Sequence, residues 1–506
     1  MPLDDDRDDR FASTGIVGLD DILNGGLTPD RLYLVEGTPG TGKTTLGLGF
    51  LLAGAAAGEI GLYITLAETE VELRAVGRTH GWSLDPLTLF EMVPADGLGE
   101  DQEQTLLHPS EVELGETVRA IMARVDAVRP ARVVIDSLSE LRLLAQSPIR
   151  YRRQILALKH YFSTRKCTVL VLDDKSASGS DLQLHSIAHG VLALEQTLSG
   201  FGTQRRRMHV VKMRGVRYRG GYHDFEIARG GLQVYPRLVA AEHRTDYDDT
   251  PISTGSAEFD SLLGGGLVPG TATLLTGPAG VGKTTASVQA LVATLKRGEN
   301  ASYFLFDERQ PTLLKRSAAL GMDLHPFLEN GQLQLRAIDP AELSPGEFAA
   351  AVRDAVEEHQ ARIVVVDSLN AYLQSMPNEQ FLVLQMHELL TYLGQRGVVT
   401  LLILGMHGIM GDIRADVDLS YLADTAVQLR YFEAFGEVRQ AISVIKTRTA
   451  QHERTIREFR IDAGGILFGA PLRDFQGVLT GVPTFSGEGR ALLASRIGEM
   501  VSDQAQ

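Results

Sequence analysis

The sequence predicts an α/β protein of two tandem phosphate-loop domains, each a mostly parallel sheet flanked by helices with a β-rich C-terminal part. Three observations carry that expectation. The stretch G-T-P-G-T-G-K-T-T at 37–45 occurs again as G-P-A-G-V-G-K-T-T at 277–285. Each copy sits between an apolar run that reads as a strand and a run that reads as a helix, 32–36 then 45–55 in the first and 272–276 then 285–294 in the second. The repeat also extends upstream, where S-T-G-I-V-G-L-D-D-I-L-N-G-G-L from Ser13 matches I-S-T-G-S-A-E-F-D-S-L-L-G-G-G-L from Ile252. Its period of 240 residues at the phosphate loop means a duplicated domain rather than a short-period solenoid.

Size and composition agree with this division. A chain of 506 residues suits two or more cores, and 44% hydrophobic with 22% charged residues suits a folded, soluble one. The formal net charge of −15 disfavours broad attraction to nucleic acid or to an anionic membrane, while leaving room for a local basic loop. The single cysteine, Cys167, allows no intrachain disulfide and no cysteine-cluster zinc site; its apolar run at 167–172 points to a buried strand. The first ten residues are acidic and polar, and no run of about 20 apolar residues occurs, so no membrane span and a cytoplasmic location are expected. The expected organisation is a flexible tail at 1–12, a first domain at 13–241, a linker at 242–250, a second domain at 251–470 and a C-terminal tail at 471–506.

The loops themselves define two candidate nucleotide sites. Gly37, Gly40 and Gly42, with Thr38, Thr41 and Thr45 between and after them, form the first cradle; Gly277, Gly280, Gly282, Val281 and Thr285 form the second. Glycines let backbone N–H groups approach phosphates, Lys43 or Lys283 reaches the terminal phosphates, and Thr44 or Thr284 is placed to hold Mg²⁺. Further along, 133–135 and 363–366 are apolar strands closed by Asp136-Ser137 and Asp367-Ser368, 93 residues after Lys43 and 84 after Lys283. That is the Walker B arrangement, in which the carboxylate holds Mg²⁺ through water beside the phosphate-loop threonine.

Other polar groups leave alternatives open. The strand at 61–66 is followed by Ala67-Glu68, and that at 301–306 by Asp307-Glu308; these acids read either as bases that polarise an attacking water or as helix caps and surface acids. Helical segments at 151–163 and 379–393 lead to strands at 168–172 and 399–404, and Asp173 and Asp174 after the first of these either sense a terminal phosphate or cap a turn. The late part of each module reads as hairpins, 208–212 with 224–227 and 442–446 with 457–461. Each contains a K-x-R pair, Lys212 with Arg214 and Lys446 with Arg448, whose spacing puts both side chains on one strand face. They read as solvated charges, as a nucleic-acid contact, or as basic groups delivered to a neighbour's nucleotide, and the triplet 205–207 fits any of these roles. His185, His189 and His407 form no metal-ligand spacing and are explained by loops; no serine–histidine–carboxylate system stands out.

Two phosphate-loop modules, each opening with S-T-G-x-x-x-x-D and an L-x-G-G-L or L-G-G-G-L turn, resemble the KaiC family of circadian-clock ATPases and their non-clock relatives in the RecA-like superfamily, over roughly 13–490. The resemblance implies a two-tier homohexamer with ATP and Mg²⁺ between adjacent subunits, a first tier that mainly hydrolyses ATP and a second that can phosphorylate the protein itself. It implies Lys43, Thr44, Glu68 and Asp136 as one site, and Lys283, Thr284, Asp307, Glu308 and Asp367 as the other. Lys212, Arg214, Lys446 and Arg448 become the groups that reach the next subunit's phosphates. The family's paired catalytic glutamates appear as Ala67-Glu68 and Asp307-Glu308, which implies weaker hydrolysis in the first tier if the first member of the pair is the base. In D-L-S-Y-L-A-D-T at 418–425, Ser420 falls at the acceptor serine and Tyr421 replaces the adjacent threonine; capping a turn is the plainer role for that serine. The segment from 471 to 490 matches a C-terminal continuation that implies a regulatory partner, such as a KaiB-like or signalling protein, or else a loosely attached tail. A nucleic-acid-stimulated ATPase and a nucleotide-binding scaffold of low turnover remain the alternatives.

Overall fold

A computed structural model describes residues 11–92, 109–145, 147–175, 182–198, 202–374, 379–406, 421–449, 451–480 and 484–485. It divides into two compact units, one up to Arg237 and one from Leu238.

In the first unit the elements run α1 (Val17–Ile22), β1 (Leu32–Gly37), α2 (Lys43–Ala56), β2 (Gly61–Thr65), α3 (Glu70–His80), β3 (Thr88–Glu91), α4 (Pro109–Val128), β4 (Arg132–Asp136), α5 (Leu138–Ala145), α6 (Pro148–Thr164), β5 (Thr168–Asp174), α7 (Leu182–Ile187), β6 (Gly190–Thr197), β7 (Arg205–Met213), β8 (His223–Ala228) and β9 (Gly231–Tyr235). The second unit repeats the plan: α8 (Ala257–Leu263), β10 (Ala272–Gly277), α9 (Lys283–Lys296), β11 (Asn300–Leu305), α10 (Gln310–Ala319), α11 (His325–Glu329), β12 (Leu333–Ala337), α12 (Pro345–Glu357), β13 (Ala361–Asp367), α13 (Leu369–Gln374), α14 (Glu379–Gln395), β14 (Val399–Gly405), β15 (Thr425–Ala434), β16 (Glu437–Thr447), β17 (Arg457–Asp462) and β18 (Gly465–Pro471).

Each unit has one sheet, ordered β3-β2-β4-β5-β1-β6-β7-β8-β9 in the first and β12-β11-β13-β14-β10-β15-β16-β17-β18 in the second. From β3 to β6, and from β12 to β15, neighbours are parallel; the last pairings are antiparallel. Parallel strands are covered on both faces, so they read as unbroken apolar runs, and β1 is buried at every position. The period of two then assigns alternate side chains to two cores. Tyr33, Val35, Tyr63 and Val134 pack under α2 with Leu46, Leu48 and Phe50, whereas Leu34, Ile64, Val133 and Ile135 pack against Leu114, Ile121, Leu141, Ile155 and Leu158 of α4, α5 and α6.

The upstream S-T-G-x-x-x-x-D signature has a local cause. Asp20 on α1 accepts from Ser13 Oγ (2.6 Å), from Thr14 N (2.8 Å) and from Thr14 Oγ1 (2.7 Å), and Asp260 accepts the equivalent three from Ser253 and Thr254. The carboxylate thus fixes the entry segment whose backbone bridges Ala12 to Leu27, or Ile252 to Leu267.

Two differences from the sequence reading concern boundaries. Helices α2 and α9 begin at the phosphate-loop lysines, two residues before the predicted starts, because Gly42 and Gly282 take the left-handed conformation (φ 93° and 112°) that turns the chain directly into the helix. Part of the stretch from 238 to 250 packs on the second unit: Leu238 and Ala240 belong to its core, and Ala240 N donates to Glu388 Oε1 at 2.8 Å. Beyond β18, Leu472, Phe475 and Val478 are buried with Phe432, Ala434 and Ala441. Among the described residues no helix is long and apolar enough to cross a membrane.

Asp20→Ala removes three hydrogen bonds to one charged acceptor, and a loss of about 2–4 kcal/mol from the first unit is expected. Urea unfolding followed by limited proteolysis checks this, with Asp20→Asn expected to lose less.

Candidate nucleotide sites

The sheet order brings the phosphate loop, the Walker B aspartate and the strand-end acids to one edge, the carboxyl ends of the parallel strands, where ligands bind in folds of this kind. In the first unit Lys43 is buried, and its Nζ donates to Gly37 O (2.9 Å) and Thr38 O (3.1 Å) while lying 2.8 Å from Asp174 Oδ1. Thr44 Oγ1 donates to Asp136 Oδ2 at 3.0 Å. Burial pushes the Asp136 carboxyl up; hydrogen bonds from Tyr63 and Thr44 and the Lys43 charge oppose that. Thr41 is buried and donates to Thr38 O, closing the loop. Thr45 lies 3.3 Å from His80 Nε2. A Cβ on Gly37 would stand 2.6 Å from Thr41 Oγ1 and 2.7 Å from Leu194 O, so the loop cannot close around a larger residue there. Gly40, at φ 83°, is the other left-handed position.

The second unit repeats the cluster. Lys283 Nζ donates to Gly277 O and Pro278 O, both at 2.8 Å, and Thr284 Oγ1 donates to Asp367 Oδ2 at 2.8 Å. Burial pushes Lys283 down and Asp367 up. Val281 and Thr285 are buried, and Gly280 takes φ 75°. Both Walker B aspartates are joined to the following serine by a cis peptide.

A hydroxyl and a carboxylate in hydrogen-bond contact are oxygen donors of the kind a hard cation takes. Among the described residues no group of three His, Cys, Asp or Glu gathers to enclose a metal, so Mg²⁺ held at Thr44 with Asp136, or at Thr284 with Asp367, would draw its other ligands from phosphate oxygens and water.

The acids after β2 and β11 differ between units. Glu68 is fixed at its backbone, its N–H donating to Thr65 Oγ1 (2.9 Å) and its carbonyl accepting from the same hydroxyl (2.7 Å). Its Oε2 is buried with no hydrogen-bond partner, and burial first, then the Asp136 and Glu72 charges, push its carboxyl up. Ala67 beside it is exposed. In the second unit Asp307 accepts from Ser368 Oγ, and Glu308 is paired with Arg316 at 2.9 Å.

Sequence reasoning left Asp173 and Asp174 between two roles. Asp174 is the counter-ion of Lys43, and Asp173 accepts from Ser139 Oγ (3.0 Å) and from Arg142. By register Gly405 stands opposite Gly277 where Asp174 stands opposite Gly37, so the second site has no such acid from that strand. His185 lies on α7 rather than in a loop, its Nε2 2.8 Å from the buried Glu36 Oε2; the contact joins residues 149 apart and leaves no local sequence signal. His407 and Ser420 lie outside the described residues.

The K-x-R pairs do not join their own phosphate loops. Lys212 sits opposite Val191, whose side chain belongs to the core on the sheet face away from α2. Lys212 Nζ donates to His185 O, and Arg214 donates to Ser186 O at 2.8 Å. Lys446 and Arg448 likewise donate to Ala423 O (2.9 Å) and Tyr421 O (3.1 Å). The 205–207 triplet lies on β7: Arg205 is buried and Arg207 stacks over Tyr222. Cys167 is buried as expected, just before β5, its thiol donating to Pro130 O and pushed up to about 11 by burial.

Sequence reasoning missed two tyrosines. Tyr63 and Tyr303, one repeat period apart, donate to the Walker B oxygens Asp136 Oδ2 (2.6 Å) and Asp367 Oδ2 (2.7 Å). Their equal place in the two repeats was the available signal.

Comparison with known proteins agrees with this geometry. The family model described as "ATPase: KaiC" matches 12–239 and again 252–472. Relatives include a circadian clock protein KaiC3 from Synechocystis sp., 26% identical over 94% of this chain and 95% of that protein. A circadian clock oscillator protein KaiC from Picosynechococcus sp. is 27% identical over 97% and 96%. That of Synechococcus elongatus is 26% identical over 93% and 91%.

Because Glu68 titrates higher in the folded chain than in the unfolded one, the native state binds the extra proton and its stability falls as pH rises from the ordinary carboxyl range through the raised value. Glu68→Gln removes that loss. The variant is expected to melt higher than the parent at pH 7, by less than about 1 kcal/mol because the group is partly solvated, and the gap should close toward pH 4.

Proposed function

The chain belongs to the KaiC family of ATPases, and from that premise we propose that it is an ATP-dependent homohexameric switch whose second unit phosphorylates Ser420 of the same protein. One observation carries the reading. Both units place lysine, threonine and Walker B aspartate within hydrogen-bond reach of one phosphate loop, while their K-x-R pairs donate to carbonyls elsewhere, those of His185 and Ser186 in the first unit and of Ala423 and Tyr421 in the second. A phosphate site whose own K-x-R pair is engaged elsewhere is open to completion by the pair of a neighbouring copy, which supports assembly into a closed ring.

In the first unit Lys43 binds the terminal phosphates and Glu68 takes a proton from water. The water oxygen bonds to the γ-phosphorus as its bond to the bridging oxygen breaks, and ADP leaves. A carboxylate with a buried, unpartnered oxygen and a raised proton affinity suits that base role, so Ala67 does not deprive the first unit of one. In the second unit Asp307, released from Ser368, receives the proton of the attacking hydroxyl, from water or from Ser420. Thr44 with Asp136, and Thr284 with Asp367, would hold Mg²⁺, which would supply positive charge against the phosphate oxygens. Lys212, Arg214, Lys446 and Arg448 of the adjacent copy meet the charge that develops at the leaving phosphate. We place the first unit up to Arg237 and the second from Leu238, and assign 471–506 to regulation, with a KaiB-like or other signalling protein as partner in a cytoplasmic setting.

Incubation with Mg²⁺ and γ-labelled ATP, followed by mass mapping, tests the assignment. Label on Ser420, lost by at least about a hundredfold in Lys283→Ala and absent in Ser420→Ala, is expected; phosphate release with unlabelled protein would remove the kinase part and leave an ATPase.

A further inference from the structure

The two tyrosines are not explained by packing alone. Tyr63 and Tyr303 are fully buried in the cores under α2 and α9, where a tyrosine hydroxyl needs some acceptor. Tyr33, on β1 in the same core, meets that need with a backbone carbonyl, donating to Thr28 O at 2.9 Å. Tyr63 and Tyr303 use the Walker B carboxylate instead.

The backbone explains the reach. Tyr63 pairs with Val134 and Thr65 with Asp136, so the tyrosine lies diagonally across from the aspartate, two residues back along the neighbouring strand. Tyr303 pairs with Val365 and Leu305 with Asp367, the same diagonal. A ring is long enough to cover that step. In both units the hydroxyl arrives at Oδ2, the oxygen that already accepts from the phosphate-loop threonine. Two donors on one oxygen fix the carboxylate plane and leave Oδ1 as the oxygen to which no described residue donates a hydrogen bond.

We propose that Tyr63 and Tyr303 are positioning residues for magnesium, each locking the Walker B carboxylate so that its second oxygen and the threonine hydroxyl are presented to the cation. This rests on the reading of Thr44 with Asp136, and Thr284 with Asp367, as magnesium groups. Outer partners of this kind commonly change metal affinity by about 10–100-fold when removed.

The test uses the full chain with one site silenced: Tyr63→Phe in a Lys283→Ala background and Tyr303→Phe in a Lys43→Ala background. Binding of a fluorescent, non-hydrolysable ATP analogue is measured in EDTA and then titrated with Mg²⁺, with Asp136→Asn or Asp367→Asn as the matched control. The expected result is a Mg²⁺ midpoint raised about tenfold, with affinity in EDTA within about twofold of the parent. An unmoved midpoint beside a shifted aspartate control overturns the tyrosine role. Equal losses with and without Mg²⁺ reduce it to core packing and overturn it too. An unmoved aspartate control refutes the magnesium reading itself. Phenylalanine keeps the ring, and the two independent positions guard against one variant that fails to fold.

Discussion

The hydrogen bond from Thr44 to Asp136, repeated from Thr284 to Asp367, is the constraint on which each unit's chemistry depends. It joins the first turn of one helix to the end of a strand that is not its sheet neighbour, since β5 or β14 lies between. That contact can form only if the strand order is right, the glycine turn delivers the helix directly after the loop, and the aspartate ends its strand at the same level. The apolar parallel strands, buried on both faces, hold those ends level. Fold and site are therefore one geometric condition, met twice in one chain.

Around this shared cluster the two units diverge in charge. In the first, Lys43 is paired with the Asp174 carboxylate of β5, and Glu36 with His185 adds a buried polar contact on β1. In the second, glycine replaces that acid at position 405, and the strand residue matching Glu36 is Thr276, which donates to Val427 O. The acids after β2 and β11 differ in the opposite sense, one carboxylate with an open oxygen against two engaged by Ser368 and Arg316. The two repeats keep the same phosphate loop and threonine–aspartate contact and differ in the surroundings of the acids beside them, which fits the proposal of two sites with different tasks.

Much of this was legible in the sequence because it is local. A glycine-rich loop between strand and helix, and an apolar strand closed by aspartate, carry their geometry in consecutive residues, and repetition at a fixed period confirmed them. The entry signature was legible as a pattern, and its reason, one aspartate binding Ser13 and Thr14, became visible only in the fold. Contacts set by strand order were not legible. Asp174 meets Lys43 because β5 neighbours β1, and Glu36 meets His185 across most of the domain. Tyr63 and Tyr303 were hidden for another reason: in an apolar strand a tyrosine reads as core, and only the diagonal to the next strand shows what its hydroxyl holds.

In the proposed ring each nucleotide site is shared between copies, with phosphate loop and aspartate from one chain and the K-x-R pair from the next. Subunit mixing tests it most directly. Chains carrying Lys43→Ala and Lys283→Ala are combined with chains carrying Lys212→Ala, Arg214→Ala, Lys446→Ala and Arg448→Ala, and ATP hydrolysis is followed after exchange. Activity well above that of either variant alone is the predicted result, since mixed neighbours rebuild intact sites. No gain on mixing, or full activity in the chain lacking all four basic residues, would contradict it.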